Sequence, residues 1–126
     1  MKWVVNGELY SSKNSRKIVV AGNGRRYVVK SDVAKSDEVS LCNRLLQIRD
    51  SFLAVAEKHS KPYQLVFKIY RKTRRKFDYI NIIQNLCDCM VKVGLLDDDN
   101  ANELLPIFET YEVSSEKPRV EIWFKE

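Results

Sequence analysis

Arg74-Arg-Lys-Phe-Asp78-Tyr-Ile-Asn81-Ile-Ile-Gln-Asn-Leu-Cys-Asp88-Cys-Met-Val-Lys-Val-Gly94-Leu-Leu-Asp97-Asp-Asp-Asn100 is the stretch around which the chain is organised. Between Asp78 and Gly94 it has the pattern of one amphipathic helix. Asp78 stands where an N-cap accepts the first free N–H groups, and Gly94 stands where a left-handed residue ends the helix. At 100° per residue, Asp78, Asn81, Asn85, Asp88 and Lys92 share one face, and Ile82, Ile83, Leu86, Cys87, Met90 and Val93 form the other. The second face is expected to be core. The first carries amides and carboxylates where an ordinary solvated helix carries Glu and Lys, and that choice of side chains points to chemistry.

Outward from this helix, the remaining pattern alternates strand and helix. Pro62 to Tyr70 alternates as a strand and leads into the basic loop before Asp78. Ser36-Asp37-Glu38 is expected to cap a helix lasting to Lys58, with Val39, Cys42, Leu45, Leu46, Phe52, Leu53 and Ala56 recurring at three and four. Residues 3 to 9 form a first strand. Lys17 to Val20 and Arg26 to Lys30 flank Ala21-Gly22-Asn23-Gly24, whose Asn-Gly favours a hairpin because both residues tolerate positive φ; no helix follows closely enough for a phosphate loop. Leu104 to Val113 and Arg119 to Lys125 close the chain as strands. This order predicts one α+β domain over residues 1–126, a mixed sheet backed by two main helices.

Composition agrees with one soluble, globular domain: 126 residues, 44% hydrophobic and 31% charged. Twenty-two Lys and Arg against 17 acids give a net charge of +5, compatible with a polyanionic partner. No apolar run approaches the roughly 18 residues of a membrane span, and Met1 to Gly7 stops being apolar too early for a signal peptide, so a cytoplasmic location is expected. Cys42, Cys87 and Cys89 fit reduced thiols. With a single histidine, His59, and no suitable pair of cysteines, a zinc site is not expected.

Two clusters carry the functional reading. Arg71-Lys72-Thr73-Arg74-Arg75-Lys76 places five cations in six residues, either a solvated loop or a clamp for phosphates. Asp97-Asp98-Asp99-Asn100 is either a polar turn capping a short helix or, paired with Asp78, a set of hard oxygen ligands suited to Mg²⁺. If 78–93 is a straight helix, its ends lie about 24 Å apart, so Asp78 and Asp99 of one chain share an ion only if the chain doubles back. A two-fold homodimer would bring Asp78 of one subunit to Asp99 of the other.

The stretch resembles the RusA-type Holliday junction resolvases. Those enzymes carry Asp-x-Asp-Asn opening a helix, a Gly at its far end, a short apolar pair or trio and an Asp-Asp. Here Asp78-Tyr79-Ile80-Asn81, Gly94, Leu95-Leu96 and Asp97-Asp98-Asp99 stand in that order behind an Arg/Lys run. The resemblance covers mainly residues 71–110. It implies a Mg²⁺-dependent endonuclease that, as a homodimer, resolves four-way DNA junctions by paired symmetric nicks. Asp78 and Asp99 match the first and last family acids, Asp98 is their neighbour, and Asp88 aligns with an acid of some relatives, although its place on the helix suits a structural role. Arg71, Lys72, Arg74, Arg75 and Lys76 would bind the DNA backbone, joined by Lys13, Asn14 and Arg16 after the first strand. Tyr79 is either half buried or stacks on an unpaired base. Ile80 stands where the family has its second Asp. Either Asn81, Asp98 or Asp97 supplies the missing oxygen, or the chain is a non-catalytic binder of branched DNA. A protein-interaction domain using its basic loop on an acidic partner is a third reading.

Overall fold

A computed structural model describes residues 1–10, 16–30 and 32–126, and only the backbone of 16–19, 27–30 and 32–34. The elements are β1 (Trp3–Asn6), β2 (Arg16–Val20), β3 (Arg26–Lys30), α1 (Asp32–Ala56), β4 (Tyr63–Arg71), α2 (Tyr79–Lys92), β5 (Leu104–Phe108), β6 (Glu112–Val113) and β7 (Arg119–Phe124). The domain is α+β. Its main sheet runs β1-β7-β4-β5 with β6 also on β4, while β2 and β3 form a separate antiparallel ribbon.

β7 lies antiparallel between β1 and β4, and β5 and β6 run parallel to β4. A parallel neighbour cannot be reached by a tight turn, so the chain crosses over through α2 between β4 and β5. That crossover sets the basic loop at one end of α2 and the acidic turn at the other. β5 is one edge of the sheet, and β1 is the other. The Tyr63 N–H bonds Glu103 O and the Glu109 N–H bonds Phe67 O, so the odd-numbered residues of β5 face β4. Pro106 therefore turns outward, where its missing N–H costs no ladder bond and leaves the edge short of a donor for another strand.

Alternation in the strands sends one face of the sheet into the core. Trp3 and Val5, Leu65, Phe67 and Ile69, and Val120, Ile122 and Phe124 are buried against Leu41, Leu45 and Phe52 of α1 and Ile82, Ile83, Leu86 and Met90 of α2. The rings of Trp3, Phe52 and Phe124 meet at 5.0, 5.9 and 5.5 Å, joining β1, α1 and β7. Among the described residues no helix is long and apolar enough to cross a membrane.

Boundaries move in three places. The first strand ends at Asn6 rather than residue 9, because Gly7 adopts φ 102 and its N–H bonds Pro118 O. The first long helix starts at Asp32, so Ser36-Asp37-Glu38 lies inside it and is not its cap. No Gly or Pro separates Asp32 from Ser36, and a serine inside a helix costs only a fraction of a kcal/mol. The expected strand 104–113 is two strands, broken at residues 109–111.

Candidate functional site

α2 forms as its sequence signals. Asp78 Oδ1 accepts the Asn81 N–H at 3.4 Å. At the other end Gly94 takes φ 82, the Leu95 N–H bonds Met90 O at 2.9 Å and the Gly94 N–H bonds Val91 O at 3.1 Å, which together make a Schellman motif. Leu95 and Leu96 then bury their side chains, and this turn sends the chain back along the helix.

The return changes which acids meet. Gln84 Nε2 donates to Asp88 Oδ1 at 2.9 Å and to Asp99 Oδ2 at 3.1 Å, so one amide bridges two carboxylates. The chain does double back, but it brings Asp99 to Gln84 and Asp88 rather than to Asp78. Asp78 lies six residues before Gln84, a rise of about 9 Å, and keeps its carboxylate on the helix cap. Asp88, which the sequence suggests is structural, is the acid brought to Asp99.

The other acids of the turn are engaged locally. Asp97 pairs with Lys61 Nζ at 2.6 Å, and Lys61 also pairs with Glu103 at 2.6 Å. Asp98 accepts the Asp99 N–H at 2.7 Å and Asn100 Nδ2 at 2.9 Å. These bonds hold its carboxyl below the usual range, so its contribution to stability is present above that range and lost as pH falls through the lowered value. Asp88, Asp98 and Asp99 line one cavity of about 290 Å³ with Tyr10, Glu38 and Lys92, and Lys92 is ion-paired to Glu38. Among the described residues no three His, Cys, Asp or Glu side chains converge as a metal-holding group. Asp78, Asp98 and Asp99 thus do not converge as one group within one chain, while Asn81 stays beside Asp78 through its N–H. Asp88 and Asp99 are the two carboxylates that share the Gln84 amide; a hard cation of the Mg²⁺ type takes one or two carboxylates and completes its shell with water.

Two residues of α2 depart from the expected faces. Asn85 is buried, and its Nδ2 donates to Tyr10 O at 3.0 Å, tying the segment after β1 to the helix. Ile80, about 200° around the helix from Asp78 and so expected on the apolar side, is instead 71% exposed.

Burial, Asp99 and Asp88, in that order, push the Cys87 thiol up to about 12. At pH 8 only about one molecule in ten thousand would carry the reactive thiolate. Half-buried Cys42 should therefore react first with a disulfide reagent at pH 8, and Cys87 only in denaturing urea. Equal rates for all three thiols in native buffer would contradict this packing.

The basic loop divides into two parts. Arg71 ends β4 and turns inward: Nη1 donates to Leu9 O at 2.8 Å, Nη2 lies 3.8 Å from Glu8, and the guanidinium sits 4.6 Å from the Phe77 ring centre. The Lys72 N–H bonds Glu8, while the Lys72 side chain is exposed. Arg74, Arg75 and Lys76 are exposed and have no acidic partner among the described residues. They line a cleft of about 390 Å³ with Phe77, Tyr79 and Tyr111. Tyr79 is half buried, and its hydroxyl donates to Glu109 O at 2.7 Å. Lys13 and Asn14 lie outside the described residues, and Arg16 opens β2.

Gln84 and Tyr111 were not legible as site residues, since nothing local marks either. Arg25 and Arg26, exposed beside the Asn23-Gly24 turn, were also missed. A signal existed for them: from Tyr10 to Ser31 the sequence has Lys13, Arg16, Lys17, Arg25, Arg26 and Lys30 and no acid. Neither a protein-family model nor a curated protein matches the chain.

Proposed function

We propose that this chain is a structure-specific DNA endonuclease of the RusA type, which cuts four-way junctions with Mg²⁺ as a homodimer. The observation that carries the reading is the placement of three consecutive cations, unpaired among the described residues, in the loop that leads into α2, the helix whose Gln84 bridges Asp88 and Asp99. Phosphodiester hydrolysis needs both: cations to hold the backbone and carboxylates to hold a metal. Arg74, Arg75 and Lys76 would grip the phosphates, and Gln84 would keep the two carboxylates in register. Asp88 and Asp99 would hold the Mg²⁺, which when bound supplies a coordinated water of lowered pKa and neutralises charge at phosphorus. Paired nicks require two such sites, one from each chain of a two-fold pair.

A non-catalytic binder of branched DNA is the second reading, favoured by the engagement of Asp78 and Asp98 in their own turns and by Ile80 in place of an acid. A labelled synthetic four-way junction separates the two. Binding should weaken by roughly three orders of magnitude between 50 and 200 mM salt for three phosphate contacts from each of two chains, and cutting should appear only with Mg²⁺ or Mn²⁺. Binding without cutting in either metal supports the second reading. Absence of junction affinity at 50 mM salt removes both and leaves an acidic protein partner for the loop.

A further inference from the structure

We infer that the cleft between the basic loop and the β5–β6 connection is a subsite for one unpaired nucleobase, an inference that rests on the nucleic-acid reading above. Its floor holds three rings, Tyr111, Phe77 and Tyr79. Tyr111 meets Phe77 at 4.9 Å and 90°, and Phe77 meets Tyr79 at 5.7 Å. Outside the cleft, Tyr79 packs on Phe108 at 5.1 Å.

The cations that line the cleft with these rings distinguish it from a satellite core under a loop. They are Arg74, Arg75 and Lys76, and among the described residues no acid neutralises them. Elsewhere Lys61, Lys68, Lys92 and Arg119 each pair with a carboxylate. An anion is therefore wanted beside an aromatic platform. A phosphate joined to a planar base supplies both, and every base has a face to stack whatever its identity. A paired base in a duplex has no free face, so the site selects strands that are open at a branch or an end.

The platform is also held ready. The Tyr79 hydroxyl is tied to Glu109 O, which fixes the β5–β6 connection against α2, and Arg71 covers Phe77 from the β4 side. The Tyr111 hydroxyl has no partner among the described residues, so its ring is the member of the run that is not anchored by its polar end. Ordering one further ring on binding then costs little side-chain entropy.

A DNA fork with 2-aminopurine at its first unpaired position tests this. Saturating wild-type protein should quench the probe several-fold. Tyr111→Phe should keep the quench. Tyr111→Leu should lose it and bind the fork roughly ten-fold more weakly, with affinity for fully paired duplex unchanged. If the fork binds and the probe's emission stays at its free value, the subsite does not exist while the DNA reading stands. No binding to fork or duplex at low salt overturns both. Because wild-type quenching decides the matter, misfolding of Tyr111→Leu would not shield the inference.

Discussion

Asp99→Asn should lower the rate of Mg²⁺-dependent junction cutting by at least about 100-fold, since even an outer-shell partner of a metal is worth 10–100-fold and Asp99 would be a direct ligand. Asparagine has the shape of aspartate and keeps an oxygen for Gln84 Nε2, which now lies 3.1 Å from Asp99 Oδ2, so the turn should persist. Junction affinity without metal should stay within about threefold or rise slightly, because a charge that repels phosphate is gone. Asp88→Asn should behave in the same way. Asp78→Asn is the informative contrast: asparagine caps helices as well as aspartate, and Asp78 is not at the carboxylate pair, so cutting should fall by no more than about threefold. Loss of cutting in Asp78→Asn, with the fold retained, would instead restore a site in which Asp78 contributes, across a dimer or otherwise. Chelation with EDTA should stop cutting by wild type without releasing the DNA. Activity that survives EDTA would remove the metal from the proposal.

Phe52→Ala should cost about 3–5 kcal/mol of folding stability. Phe52 is 0% exposed and its ring packs on Trp3 and Phe124, so its removal opens a cavity shared by α1, β1 and β7. For a domain whose whole stability is about 5–15 kcal/mol this loss is severe, and the melting temperature should fall by roughly 10–20 °C. Leu46→Ala on the same helix is the control. Leu46 is 50% exposed, and its truncation should change stability by about 0.5 kcal/mol or less. Urea unfolding of the two variants measures both. A cost below about 1 kcal/mol for Phe52→Ala would mean that the three aromatic rings are not what joins the sheet to α1.

What could be anticipated depended on how local each cause is. The limits of α2 were legible because caps and period act within a few residues: Asp78 and Gly94 stand where the helix begins and ends. The β2–β3 ribbon followed from Asn23-Gly24 for the same reason. The start of α1 was misplaced because Ser36-Asp37-Glu38 looks like a cap, yet nothing before it opposes a helix. Arg71 could not be told from its neighbours, since its partners Glu8 and Leu9 come from the segment after β1, far away in sequence, and only Phe77 from its own loop. Tyr111 escaped notice because a ring in a short connection acquires meaning only from the rings it meets.

The α+β class, the helix between Asp78 and Gly94, and the cations before it and acids after it can be read from the chain, because propensity, capping and hydrophobic period are properties of neighbouring residues. Which acids stand together follows instead from long-range packing. Burial of Leu95 and Leu96 beyond the Schellman turn folds the acidic segment back, so that Asp99 meets Asp88 through Gln84 while Asp78 is left capping the helix. That outcome depends on where a turn lands when its apolar residues find the core, and no spacing along the chain encodes it.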